Sequence, residues 1–207
     1  DGVPVYDTVQ AAVDRHGPID ATVTFVPGNA VHDAVLEAID GGIRTVFVPV
    51  ERVPLHDALA MLAVARDAGV RVIGPGSIGV LSAGRAAAGV PSGAVVGWVG
   101  GSVAFAREVF PPGHVGIISR SGGQTTTLAW ALARQGLGIT TAVHVGAEPV
   151  VGTSMAETLA LFQADRETHA VAIFGEIGTS AEEEAADMIA AGGFTKPVVA
   201  YVAGAGA

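Results

Sequence analysis

Residues 114–124 read His-Val-Gly-Ile-Ile-Ser-Arg-Ser-Gly-Gly-Gln. An apolar run ends in Ser119-Arg120-Ser121-Gly122-Gly123, and a helical pattern follows. Glycine lets the backbone turn tightly and lets a ligand approach it closely. The first N–H groups of a helix lack internal partners, and the helix dipole is positive there. A strand–helix junction of this kind can hold an anion. The hydroxyls of Ser121 and Thr125 are candidate further donors. An ordinary strand–helix turn capped by Ser or Gly is the competing reading.

A second junction is Phe174-Gly-Glu176-Ile-Gly-Thr-Ser180, followed by Ala-Glu-Glu-Glu184. Ser180 and Glu183 have capping-box spacing, and Glu182–Glu184 suit the positive start of a helix. Glu176 differs because it precedes the cap, at the end of an apolar strand. A carboxylate there can orient an imidazole or position a substrate. The alternative is a solvated loop glutamate.

Three more loops follow strand-like runs: Val26-Pro-Gly-Asn29, Pro49-Val-Glu-Arg-Val-Pro54 and Gly74-Pro-Gly-Ser77-Ile-Gly79. All three should lie on one sheet edge. A nucleotide-containing ligand across them would meet Val26, Pro27, Pro49, Val50, Glu51 and Ser77. Singly they are weak signals, because Pro and Gly also simply mark turns. The six histidines form no HxxxH or HExxH pattern, so no metal site is expected. His144 ends a strand near Glu148-Pro149, where a core or edge histidine is the plainer reading. No Walker A loop and no Gly-x-Ser-x-Gly elbow is present.

These loops need a frame. Strands are expected at Ala21–Val26, Thr45–Val48, Arg71–Ile73, Val115–Ser119, Thr141–Val145, Val171–Gly175 and Val198–Val202. Helices are expected at Val9–Arg15, Ala30–Asp40, Leu55–Asp67, Gln124–Arg134, Met155–Ala164 and Ala181–Ala190. Continuous apolar strands alternating with helices imply parallel βαβ units covered on both faces. The alternation breaks between Gly79 and Gly113. That stretch reads as a connection, with a short helix at Val103–Val109. Two domains follow: 1–93, then the connection 94–112, then 113–207.

Composition narrows the function. Half of the 207 residues are hydrophobic, 15% are charged and the net charge is −9. This is a globular chain, and its acidity argues against a general nucleic-acid or anionic-membrane binder. With no cysteine there is no disulfide, thiolate metal site or cysteine nucleophile in this sequence. A cytoplasmic setting fits. No apolar run is long enough to span a bilayer.

Taken together, Ser119-Arg-Ser-Gly-Gly123, Gly146-Ala-Glu-Pro-Val-Val-Gly152, Gly175-Glu-Ile-Gly-Thr-Ser-Ala-Glu-Glu-Glu184 and Thr195-Lys-Pro-Val-Val199 resemble successive landmarks of succinate–CoA ligase α subunits. Val3–Thr8, Ile39-Asp-Gly-Gly-Ile43, Glu51–Pro54 and Ala68-Gly-Val-Arg-Val-Ile-Gly-Pro75 resemble that family's CoA-binding domain. The resemblance covers nearly the whole chain. It implies an α/β protein of two successive Rossmann/flavodoxin-like domains with parallel sheets, the first binding CoA. It implies that acid, CoA and nucleoside triphosphate become acyl-CoA, diphosphate and phosphate, through phosphohistidine and acyl phosphate. Coenzyme A is then a substrate, and ATP or GTP with Mg binds a partner β subunit of ATP-grasp fold. Pro49, Val50 and Glu51 would contact CoA. Ser121, Gly122 and Gly123 would open the helix facing the phosphohistidine and the acyl group, and Glu176 would hold the histidine.

Departures bear on the substrate. No histidine here matches the family's phosphohistidine, which would follow Ala207, and the family's Gly-rich CoA loop would precede Asp1. The chain alone is therefore expected not to complete phosphoryl transfer. Thr126 stands where succinate enzymes carry an aromatic residue in the helix's first turn. The 93–112 connection is longer than in typical succinate enzymes, and its Gly100-Gly101 before a short helix, like the Gly122-Gly123 pair, resembles ATP-citrate lyase and citryl-CoA synthetase. Succinate is the expected acid, with citrate or another small dicarboxylic acid as the alternative. A non-catalytic CoA-binding relative is a different class to weigh. A NAD-dependent dehydrogenase is disfavoured, since no GxGxxG loop with its acidic partner is visible.

Overall fold

The computed structural model describes residues 2–84 and 93–204. The first sheet is parallel and has three strands, β1 (Ala21–Val23), β2 (Thr45–Phe47) and β3 (Arg71–Ile73), in that order. Helices α1 (Val9–His16), α2 (Val31–Asp40) and α3 (Leu55–Asp67) precede or link them. In α2, Val31, Val35 and Ala38 are buried; in α3, Ala58, Met61 and Ala65 are. Those spacings put one apolar stripe of each helix on the sheet, where they pack with Val46, Val48 and Val72.

The second sheet contains β4 (Gly79–Ser82), β5 (Ala94–Gly97), β6 (Pro112–Ser119), β7 (Ile139–His144), β8 (Ala170–Glu176) and β9 (Val198–Ala203). Its order is β5-β4-β7-β6-β8-β9. Strands β7, β6, β8 and β9 run parallel, whereas β4 is antiparallel to both β5 and β7. Helices α4 (Val103–Val109), α5 (Gly122–Ala133), α6 (Met155–Ala164) and α7 (Ala181–Ala190) cover it. Neighbouring residues of β6 show its two-sided burial. Ile117 packs with Val109 and Ala129, and Ile118 packs with Met155, Leu159 and Ala185. At Gly116 an added Cβ would lie 2.8 Å from the Phe162 ring, so a side chain there would force that ring to shift.

Two expectations are corrected. The first sheet is parallel as expected but the second carries an antiparallel pair, and residues 79–82 and 94–97 are strands of that sheet rather than a connection. Strands β4 and β5 form a hairpin that joins the second sheet, with Leu81 in its core. An antiparallel pair needs no crossover helix, so it leaves no trace in a strand–helix alternation. The sheets therefore divide within residues 74–78, well before Gly93. The short helix expected at Val103–Val109 is present.

The sheets are stitched together at their carboxyl ends. Gly152 N–H donates to the Gly74 carbonyl at 2.8 Å, and the Thr153 hydroxyl donates to the Val72 carbonyl at 2.7 Å. Between them remains a cavity of about 360 Å³, lined by Phe47, Ile73, Val80, Val143, Leu161 and Phe162 among others. Among the described residues no helix is long and apolar enough to cross a membrane.

Candidate functional site

The site is built on one row of the second sheet. Gly79 pairs with His144, His144 with Ser119, and Ser119 with Phe174. The strands carrying the Ser119–Gly123 junction and Glu176 therefore end side by side, one strand spacing apart. Helix α5 starts immediately after the first of them. Its N-cap, Ser121, makes no side-chain capping bond. Gly122 faces Ile78 closely: an added Cβ would sit 3.1 Å from its Cγ2, so Ile78 would have to give by a few tenths of an ångström. At Gly123 an added Cβ would meet nothing within 4 Å. The first-turn N–H groups, which helix geometry leaves without partners, thus start beside open space.

Glu176 is held by its main chain. Its N–H donates to Glu182 Oε1 at 2.8 Å, and its carbonyl accepts from Arg120 Nη1 at 2.9 Å. Arg120 and Glu182 lie 3.7 Å apart as an ion pair, with side chains 6% and 13% exposed. The half-buried Glu176 side chain accepts no hydrogen bond among the described residues.

His144 ties this edge to the first sheet's loops. Its Nδ1 accepts from Ile78 N–H at 2.9 Å, and its Nε2 lies 3.0 Å from the Arg120 carbonyl. A carbonyl can only accept, so the proton sits on Nε2 and the ring is neutral. Burial pushes its pKa below the usual histidine value. The Arg120 carbonyl and the Glu176 and Glu51 carboxylates pull the other way, but burial wins. His144 is a buried structural residue.

The first sheet's loops meet the same edge. Gly76 has φ +70°, and an added Cβ would meet Glu148 Cγ at 3.2 Å and Glu51 Cγ at 3.6 Å. Arg52 sits in the left-handed region at φ 58°, and its N–H donates to Glu148 Oε1 at 2.6 Å. Gly28 approaches the Glu51 and Arg52 carbonyls, which an added Cβ would meet at 3.7 and 3.4 Å. Phe25 and Trp98, 63% and 45% exposed, tilt together with ring centroids 5.6 Å apart. Trp98 N–H is bonded to the Ile78 carbonyl, so the pair stands over this row of loops.

The expected site residues fall into three groups. Ser121, Gly122, Gly123 and Glu176 share the second sheet's carboxyl edge, with half-buried Thr126 at the beginning of the second turn of α5. Val26, Pro27, Val50 and Glu51 are partly or fully exposed on the first sheet's loops, above buried Pro49. Thr125 and Ser77 are corrected. Thr125 is fully buried and its hydroxyl donates to the Ser121 carbonyl at 2.8 Å. Ser77 is 1% exposed; its hydroxyl donates to the His144 carbonyl and accepts from Gly79 N–H. Both hydroxyls are spent on main chain, as buried hydroxyls usually are. The sequence reading missed Arg120 and Glu182. Arg120 was legible only as part of the loop, and Glu182 read as one of three helix-start acids.

Residues 112–207 match the family described as succinyl-CoA ligase like flavodoxin domain, and residues 1–51 match the CoA binding domain family. The ADP-forming sulfoacetate-CoA ligase subunit SauD of Bilophila wadsworthia is 39% identical over 99% of this chain and 66% of its own length. The succinate–CoA ligase [ADP-forming] subunit alpha 2 of Archaeoglobus fulgidus is 42% identical over 98% of this chain and 65% of its own. The chain thus spans just under two thirds of the curated relatives it matches. Among solved structures, ATP citrate lyase from Methanothrix soehngenii, in complex with citrate and coenzyme A, superposes with a TM-score of 0.87 at 27% identity. The match covers 97% of this chain and 32% of that one. With both domain families in order and such relatives along nearly its whole length, the chain belongs to the succinate–CoA ligase α-subunit family.

Proposed function

We propose that this chain supplies most of the α subunit of an acid–CoA ligase. A phosphoryl group passes from a nucleoside triphosphate to a histidine, and from there to the carboxylate of the acid. The CoA thiol then attacks the acyl carbon of the acyl phosphate, and phosphate leaves. In this reading the first sheet's loops hold CoA, with Val26, Pro27 and Val50–Glu51 at its surface. Ser121, Gly122 and Gly123 present N–H donors to the phosphoryl or carboxylate group, with Thr126 beside them. Glu176 accepts a hydrogen bond from the histidine, which lies outside this sequence, and favours its cationic form during transfer. The nucleotide and its Mg belong to an ATP-grasp β partner.

The observation that carries this reading is that Glu176, whose carboxylate accepts no hydrogen bond among the described residues, ends its strand on the edge where α5 starts. The first sheet's loops reach the same edge. Succinate is the acid we propose, on the relatives of that name. A second reading is an acid whose second anionic group is bulkier. The sulfoacetate–CoA ligase subunits, 39% and 36% identical, and the likeness to an ATP citrate lyase favour it.

The test uses the full-length subunit with its β partner. Rapid-quench labelling with γ-labelled nucleoside triphosphate should show Glu176→Gln forming phosphoenzyme about 10²-fold more slowly, with CoA binding retained. An unchanged labelling rate would return Glu176 to a solvated loop residue. CoA-dependent phosphate release across succinate, sulfoacetate and citrate then identifies the acid.

A further inference from the structure

We infer that the Arg120–Glu182 ion pair is a positioning device that fixes Glu176 for its encounter with the phosphohistidine, a step resting on the function proposed above. Both main-chain polar groups of Glu176 are taken by this one pair: the N–H by Glu182 Oε1 and the carbonyl by Arg120 Nη1. The two grips come from different elements. Arg120 follows β6, and Glu182 lies in the first turn of α7. Arg120 is itself anchored, its N–H donating to the Phe174 carbonyl at 3.0 Å and its carbonyl accepting from His144. With both peptide groups fixed, the direction of the Glu176 side chain from the backbone is fixed too. Its carboxylate accepts no hydrogen bond among the described residues. A locked backbone under a free carboxylate suits a group that must receive a partner from outside.

Two further observations favour positioning over stability. A buried ion pair contributes little net stability, because desolvation of the two charges offsets their attraction. Position 175 also makes room for this pair. An added Cβ at Gly175 would lie 2.6 Å from both Cγ and Oε1 of Glu182. The φ of Gly175 lies outside the left-handed region, so its backbone does not require glycine. What requires glycine is the carboxylate folded back beneath Glu176.

Gly175→Ala therefore offers a clean perturbation. The colliding atoms, Cγ and Oε1, belong to the flexible Glu182 side chain, which can leave by rotating about its χ angles while the net charge stays the same. Glu182→Gln is the second variant; it keeps an acceptor for Glu176 N–H but leaves Arg120 without its counter-charge. Each is made in the full-length subunit with its β partner, in the wild-type and the Glu176→Gln backgrounds. We read the rate of phosphoenzyme formation by rapid quench and CoA affinity by calorimetry. Both variants should slow labelling roughly 10- to 100-fold in the wild-type background, as small misplacements at reacting centres do. In the Glu176→Gln background they should add little, because residues acting through one group are not additive. CoA affinity should hold.

Equal fold-losses in the two backgrounds, or a parallel loss of CoA affinity, would mark a general structural role and overturn the inference. So would unchanged labelling in both variants. If Glu176→Gln alone labels at the wild-type rate, the functional reading of Glu176 falls, and the inference falls with it.

Discussion

Replacing His144 with phenylalanine keeps an aromatic ring in place and removes both ring nitrogens. Two main-chain groups then lose their partners: the part-buried Ile78 N–H, 2.9 Å from Nδ1, and the buried Arg120 carbonyl, 3.0 Å from Nε2. Leaving a buried polar group unsatisfied costs about 1–3 kcal/mol. The two together predict a loss of about 2–5 kcal/mol, the upper end trimmed by the more apolar ring. Denaturant unfolding of the full-length protein at pH 8 measures it. A second arm uses pH. Burial holds the His144 pKa below its usual value of about 6.5, so the unfolded chain takes up a proton before the folded one does. Stability from this residue is therefore complete above about pH 6.5. It is lost as pH falls from there through the lowered folded value, at up to about 1.4 kcal/mol per pH unit. His144→Phe should lack that component, so its unfolding curve should be flatter than wild type on the acid side. Matching acid slopes, or a loss under about 1 kcal/mol at pH 8, would refute a buried neutral imidazole bridging the two main-chain groups.

Two other outcomes follow from the joined edges. In a Trp130→Phe background, saturating CoA should change the emission of Trp98, because the Phe25–Trp98 pair stands over the loops proposed to hold it; unchanged emission would place CoA elsewhere. Gly146→Ala should destabilise by about 2–4 kcal/mol in denaturant unfolding, because φ is +122° and the new Cβ would lie 2.4 Å from the Pro75 carbonyl; a loss under about 1 kcal/mol would mean the loop yields freely.

The helices were legible because their apolar spacing is unambiguous. Leu55–Asp67, Met155–Ala164, Ala181–Ala190 and Val103–Val109 form as expected. Continuous apolar runs located β6 and β8 for the same reason, since strands covered on both faces need no polar alternation. The β4–β5 hairpin was not legible. Gly79-Val-Leu-Ser82 is four residues long, follows a Gly- and Pro-rich loop, and pairs with residues far along the chain. The placement of Glu176 beside the start of α5 was readable, because parallel strands put their carboxyl ends on one edge. The hydroxyl assignments were not. A threonine four residues after a helix cap can turn outward or back-bond to the cap carbonyl, and burial of Thr125 decides it. Glu182 was hidden for a similar reason: three consecutive glutamates look alike until Gly175 opens a space for one of them.

Synthesis on the ribosome meets the chain in order, and the hairpin of β4 and β5 is an early arrival. Among the described residues β1, β2 and β3 pair only with one another, so that pairing can form once residue 73 has emerged. Strand β4 cannot settle then. Leu81 pairs with Ala142, about 60 residues later, which at roughly 5–20 residues per second is an interval of about 3–12 s. Until β7 emerges, the inner edge of the hairpin carries unpaired N–H and C=O groups, and Leu81 lacks Ile139 and Ala142 from its core. The nascent subunit thus passes through a stage with β1, β2 and β3 paired and an open strand edge hanging from them. That interval is when a chaperone would be needed most.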